Sequence, residues 1–322
     1  STFLSQKLNS SFNCSVAPET QLPINLMIRF KSNHILSYND ISIVLKMIDE
    51  DRKIDDWGIT TKIKTRARSF AGKSIDSFIK YIYWLFLKCN CQNKETFLVL
   101  KKESYSLVSE RIKIMYPTAK FIYIIRDPRG VFASKKNSIY TLTGRPFDEC
   151  AVSSSFSWVK HIKCIKNLYS RYPDDVLIVR YEDLIIDDVN VILSISKNFD
   201  LELEKSDKKI ILNKRYAKLH QNLFASPIKN NDKKWVNKLS QKEIFFIQSV
   251  CYNNLLEWGY ISVNIDSNSK FYWSLQLYIL LYFYKFKLIF IFIFRGLVYS
   301  KDRLAIEFIR KFNSSLFSYL RH

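Results

Sequence analysis

Apolar positions along the chain follow two periods that take turns. Ala119–Ile125 and the segment DVLIVR at 175–180 are short, continuous runs of branched and aromatic residues, and they read as strands covered on both faces. Phe97–Leu100 reads as a shorter strand of the same kind. Elsewhere apolar residues recur every three or four positions, as in helices. This holds at the start (Phe3, Leu4, Leu8), near Asn39–Asp51 and Ser74–Lys88, and from Glu103 to about Met115. It holds again for Glu149–Arg171, Val189–Asn198 and Gln241–Glu257, the last stopped by Gly259. Strands alternating with helices predict an α/β fold, a parallel sheet flanked by helices. No internal repeat is visible.

The segment YPTAKFIYIIRDPRGVFAS at 116–134 says most about chemistry. Its strand ends at Arg126, Pro128 suits the first turn of a following helix, and Ser134 stands eight residues beyond the arginine. An arginine at the carboxyl edge of a parallel strand faces the crevice where open α/β sheets bind ligands. Arg126 and Ser134 can then converge on one anion, the guanidinium as a fork and the hydroxyl as a single donor. A surface Arg–Asp pair with a buried serine is the plainer alternative. At the start, Ser1 and Thr2 place two hydroxyls and free amides at the positive end of a helix, a ready anion site. A phosphate-binding unit has a strand and a Gly-containing loop before such a helix. The sequence opens without them, so the chain is expected to be a fragment cut inside that loop, with its first strand missing.

Composition narrows the class. The 322 residues suffice for one large α/β domain or two small ones, and 48% hydrophobic with 15% aromatic content excludes a disordered chain. Lys and Arg number 50 against 30 Asp and Glu, a net +20 that suits anionic ligands, anionic glycans or a membrane surface; the Lys- and Asn-rich composition accounts for the excess equally well. The six cysteines show one CxC (Cys89, Cys91) and no paired CxxC, so neither disulfides nor a metal is expected. Asn9, Asn13 and Asn313 open glycosylation acceptor motifs, which are common by chance.

The chain divides at about residue 260, with 261–322 as a mostly helical, aromatic-rich extension. Phe271–Phe294 is nearly continuous in apolar residues and long enough to span a bilayer. Lys285 and Lys287 interrupt it, each at about 2.5–3.5 kcal/mol at a bilayer centre, so a segment lying in the interface is expected rather than a span. A helix pair packed on the domain is the alternative.

Four blocks in register resemble the sulfotransferase family that uses 3′-phosphoadenosine-5′-phosphosulfate (PAPS), over about residues 1–260. Ser1-Thr2-Phe3-Leu4 resembles the end of its 5′-phosphosulfate loop, and residues 97–134 its lysine-bearing loop and 3′-phosphate strand–helix unit. VLIVRYEDLI resembles its YEDL strand, and DKKWVNKLSQKE with EWGY its late Lys/Trp loop and closing helix. The nearest sub-pattern is that of tyrosine sulfotransferases and many bacterial members. The resemblance implies a P-loop-type fold, PAPS as donor, no metal, no nucleic acid, and a hydroxyl acceptor: a carbohydrate, a lipid-linked glycan, or a tyrosyl or other hydroxyl. It gives Ser1 and Thr2 to the 5′-phosphosulfate and Arg126 and Ser134 to the 3′-phosphate. Lys101, sixteen residues before Pro117, goes to the leaving phosphate oxygen, with Lys102 one residue away as a substitute. Lys229, Lys233, Lys234 and Trp235 fall where a loop closes over the nucleotide. The expected location is the cytoplasm, peripheral at a membrane, with the Golgi lumen left open.

The general base has two candidates. Many relatives carry a histidine just after the strand that here ends at Leu100, and none of His34, His161, His220 and His322 sits there in sequence. Glu19, in Pro18-Glu19-Thr20 after the first helix, resembles the catalytic glutamate of tyrosine sulfotransferases and is favoured over Glu103, which directly follows the lysines. Tyr181, Glu182 and Asp183 are expected to tie the strand end to its neighbours. Two rival classes remain: a P-loop kinase, for which no GKS/T motif is visible, and a non-catalytic basic protein binding membranes or glycans.

Overall fold

The computed structural model describes residues 2–91, 97–140, 144–204, 235–260, 263–264, 272–280 and 282. Ser1, Lys229, Lys233 and Lys234 lie outside the described residues, as does most of 271–294.

The chain opens with helix α1 (Thr2–Ser11) and strand β1 (Cys14–Val16), then a helical block of α2 (Leu22–Arg29), α3 (Tyr38–Glu50), α4 (Thr60–Ala67) and α5 (Ile75–Asn90). Strand β2 (Phe97–Val99), α6 (Ser109–Met115), β3 (Phe121–Ile125) and α7 (Pro128–Asn137) come next. A small ribbon of β4 (Ile139–Tyr140) and β5 (Arg145–Pro146) precedes the long α8 (Ala151–Arg171). Then come β6 (Val176–Arg180), α9 (Tyr181–Ile186), α10 (Asp188–Phe199) and α11 (Gln241–Glu257). Residues 272–280 form a further helix.

Local chemistry explains several boundaries. Ser37 and Ser240 start α3 and α11 with reciprocal caps to Asp40 and Glu243, and Ser74 caps α5. Asp127 caps α7, whose first residue is Pro128. Gly259 takes the left-handed conformation (φ 70°) that ends α11. The helix expected from Glu103 to Met115 is split: a 3-10 turn covers Glu103–Val108 before α6 begins. Ser106 and Ser109 hydroxyls donate to the carbonyls three residues back (2.9 and 3.0 Å) and compete with the α-helical ladder.

Apart from the antiparallel β4–β5 ribbon, the described strands form two parallel pairs. β1 lies beside β2 with Val16 opposite Val99, and β3 lies beside β6 with Ile125 opposite Arg180. One apolar cluster joins both pairs: Val16, Phe97 and Val99 meet Ile122, Ile124, Leu177 and Val179 beneath α1 and α10. A second cluster fills the block from α2 to α6 around the fully buried Trp57 and Phe78. A third packs α7, α8 and α11 together with Trp273, Leu277 and Leu280 of the 272–280 helix. β3 departs from the expected full burial, for only Ile125 is buried and the rest of the strand is half-covered. Among the described residues, its only strand partner is β6.

No helix among the described residues is long and apolar enough to cross a membrane. The 272–280 helix is two-sided instead. Leu277 is buried, while Tyr272, Leu275, Tyr278 and Ile279 are exposed, as is Tyr282 just beyond it.

Candidate active site

The chain leaves β1 and β2 side by side, so residues just beyond Val16 and Val99 share one edge. Lys101 is two positions past Val99 and Glu19 three past Val16. Lys101 Nζ stands 3.6 Å from Glu19 Oε1 and donates to Thr2 Oγ1 at 3.2 Å. Thr2 is the first residue of α1, at the positive end of the helix dipole. Three residues expected to act together are therefore brought together. Burial pushes the Lys101 ammonium below the usual lysine range, with Lys53 adding to the effect and Glu19 partly opposing it. Lys102 is lowered in the same way, again by burial first. The Lys101 ammonium thus lies largely buried between a hydroxyl and a carboxylate.

The second half of the site lies at the carboxyl ends of β3 and β6. Arg126 comes directly after Ile125, and its guanidinium carbon lies 4.2 Å from the centre of the Tyr181 ring. The same side chain approaches Gly130, where a Cβ would stand only 3.2 Å from Arg126 Nε. Trp158 Nε1 donates to the Arg126 carbonyl (3.1 Å), fixing the backbone beneath the side chain. No carboxylate pairs with Arg126 among the described residues. Ser134 is on α7 with an exposed side chain, and among the described residues no hydrogen bond joins it to Arg126.

The Asp of the Arg-Asp-Pro-Arg motif is occupied by its other arginine. Asp127 takes Arg129 as a fork (2.7–3.1 Å), and both are buried. Arg129 also donates to Gln248 (2.9 Å) and stacks on Trp235 at 4.2 Å. Trp235, expected as part of a loop over the nucleotide, is 5% exposed against this arginine. Glu182 ties the β6 end to its neighbours as expected: it accepts from the Asp127 amide (3.3 Å) and from Tyr260 (3.0 Å).

The alternative base, Glu103, pairs with Lys135 at 3.2 Å on a 60% exposed side chain. His161 reaches the same turn from α8. Its Nδ1 is hydrogen-bonded to the Ser106 hydroxyl, which also lies within hydrogen-bond reach of the Glu103 carbonyl. Burial lowers the His161 pKa below the usual histidine range. Chain order hides His161, which lies 55 positions from the Ser106 it meets. Arg129 shows in the sequence only as one member of a helix-opening motif.

A family profile described as the sulfotransferase family matches residues 1–205. Among solved structures, the sulfotransferase domain of the olefin synthase from Synechococcus PCC 7002 is 15% identical, with a TM-score of 0.47 over 78% of this chain and 90% of that one. The sulfotransferase domain from the curacin biosynthetic pathway is 14% identical, with a TM-score of 0.45 over 74% and 87%. No curated protein matches the chain. With a profile match over well more than half its length, the chain belongs to the sulfotransferase family.

Proposed function

We propose that the chain transfers a sulfuryl group from PAPS to a hydroxyl acceptor, and that Glu19 takes the acceptor's proton. The observation carrying this reading is Lys101 held between Thr2 and Glu19 at the positive end of α1. The donor supplies an activated sulfuryl group whose bond to a phosphate oxygen breaks as the acceptor oxygen bonds to sulfur. Lys101 neutralises the phosphate oxygen that leaves, and Thr2, with Ser1, hydrogen-bonds the phosphosulfate. Glu19 sits within ion-pair reach of Lys101, so one side chain can serve the leaving side and the other the entering side of an in-line displacement. Arg126, with Ser134, grips the 3′-phosphate; the space over Gly130 that a Cβ would crowd suits a guanidinium needing room to fork. Lys233 and Lys234 directly precede the anchored Trp235, and with Lys229 they supply charge over the nucleotide.

The exposure of Glu103 and its pairing with Lys135 favour Glu19 as the base. The acceptor is a glycan, lipid-linked glycan, tyrosyl or other hydroxyl. The apolar outer face of the 272–280 helix supports a peripheral position at a membrane, which we place in the cytoplasm with the Golgi lumen as the alternative. Retention on immobilised adenosine 3′,5′-bisphosphate tests the donor assignment. Competition by the free nucleotide and not by ATP is expected; elution by ATP would favour a kinase, and no retention would favour a non-catalytic binding protein.

A further inference from the structure

We propose that Asp51 and Trp57 are positioning residues that hold the Glu19 carboxylate in place by gripping the residues on either side of it. The inference rests on the reading of Glu19 as the base.

Glu19 lies in a loop between β1 and α2, and a loop alone fixes a side chain poorly. This loop is held at both neighbours. On one side, the indole of Trp57 donates from Nε1 to the Pro18 carbonyl at 2.8 Å. Trp57 is 1% exposed and closes a 3-10 turn (Ile54–Trp57), and its own carbonyl accepts from Asn90 Nδ2 at 3.0 Å, so the donor is anchored. On the other side, Asp51 Oδ2 accepts from the Thr20 hydroxyl and from the Gln21 amide, each at 2.9 Å. Asp51 Oδ1 accepts from the Lys53 amide at 2.9 Å. The Thr20 hydroxyl in turn accepts from the Leu22 amide (3.3 Å), so the threonine bridges the acid to the first turn of α2. Thr20 is 2% exposed.

Asp51 caps the carboxyl end of α3, and Trp57 lies further along the same connection. Both grips thus come from one short stretch between α3 and α4, and Glu19 is the residue left pointing out between them, toward Lys101. Three donors need both Asp51 oxygens as acceptors. Asparagine keeps the shape but offers one acceptor oxygen, so Asp51→Asn must release at least one donor. Valine in place of Thr20 keeps the shape and removes both hydroxyl bonds.

The test compares Thr20→Val, Thr20→Ser and Asp51→Asn in the full chain. Three readouts are needed: sulfate transfer from labelled PAPS to the best of a tyrosyl peptide, a simple glycoside and a long-chain alcohol; calorimetry with adenosine 3′,5′-bisphosphate; and the pH titration of the Glu19 carboxyl carbon by NMR, assigned through Glu19→Gln. Thr20→Val and Asp51→Asn are expected to lower kcat about 10- to 100-fold, as for a small displacement of a reacting group. The expected accompaniments are unchanged nucleotide affinity and a moved Glu19 titration, with Thr20→Ser restoring both. A Glu19 titration identical in Thr20→Val and parent overturns the proposal, and so does a kcat loss matched by equal loss of nucleotide affinity. If Thr20→Val does not fold, Asp51→Asn decides alone. Failure of the parent to bind adenosine 3′,5′-bisphosphate sinks the donor reading, while the carboxyl titration still decides the grip.

Discussion

Arg126 lies against the ring of Tyr181, guanidinium carbon to ring centre 4.2 Å, each residue coming directly after one of two strand positions that face each other, Ile125 and Arg180. The ring holds the cation without neutralising it, which leaves its N–H groups for a ligand. Arg126→Ala is expected to weaken adenosine 3′,5′-bisphosphate by about 1.5–3 kcal/mol, the range for a hydrogen bond to a charged group. Adenosine 5′-phosphate should bind parent and variant nearly equally. Calorimetry showing the same loss for both nucleotides would reject the 3′-phosphate assignment. Tyr181→Phe should behave as the parent, since the ring face remains.

Gly130→Ala separates binding from stability. Alanine is favoured over glycine inside a helix by about 1 kcal/mol, so the melting temperature should hold or rise. The new Cβ would crowd Arg126 Nε at 3.2 Å and turn the fork aside, so affinity for the 3′-phosphate should fall. A variant that binds as tightly as the parent would show that the close approach has no part in binding.

Replacing the two glutamates should give unequal results. Glu19→Gln is expected to reduce turnover about 10²–10⁴-fold with little change in nucleotide affinity, the scale of general-base loss. Glu103→Gln breaks only an exposed pair with Lys135, whose contribution to stability is small, and should leave turnover within a few-fold. The opposite ranking in steady-state assays would transfer the role to Glu103.

His161 makes stability depend on pH in a defined direction. Burial lowers its folded-state pKa, so below about 6.5 the unfolded chain takes up a proton that the folded chain resists. Stability should therefore fall as pH drops from about 6.5 toward the lowered folded value, and be flat for this group above that window. Denaturant melts of His161→Gln should lack this part of the slope. An unchanged slope would mean that the ring titrates freely in the folded protein.

The exposed face of the 272–280 helix predicts attachment to lipid. The full chain should partition onto vesicles containing anionic lipid, less so at high salt. Leu275→Asp with Tyr278→Asp should reduce partitioning at least about tenfold, because two apolar side chains are withdrawn from the interface. Equal partitioning of parent and variant, measured by sedimentation, would exclude this face as the contact.

Much of the frame is legible in the residues. Helices with a clean stripe and a polar cap, such as α3 and α11, fall within a residue or two of their expected ends, and both longer strands are where their branched runs lie. The elements that escape such a reading carry little periodic signal. β1 is only Cys14–Val16 with a serine at its centre, and α4 buries just Ile63 and Ala67 in an otherwise polar octet. α2 starts at Leu22-Pro23 after a glutamine that makes no side-chain cap. The meeting of Thr2, Glu19 and Lys101 is expected from resemblance and not from spacing, because Thr2 and Lys101 are 99 positions apart. His161 and Ser106, 55 apart, are invisible for the same reason. Contacts between elements need the packing that a single sequence does not display.

The pairing of Val16 with Val99 also governs which changes in chain length the protein can survive. Glu19 and Lys101 reach each other through tethers of only a few residues from that pair. One residue inserted in either tether displaces the side chain beyond it and breaks the approach of Glu19 to Lys101. The helical stretch from Leu22 to Asn90 bears on that alignment only through the turn carrying Asp51 and Trp57. Insertions and deletions should therefore accumulate between those helices, wherever they spare the turn carrying Asp51 and Trp57, while the two tethers keep a constant length.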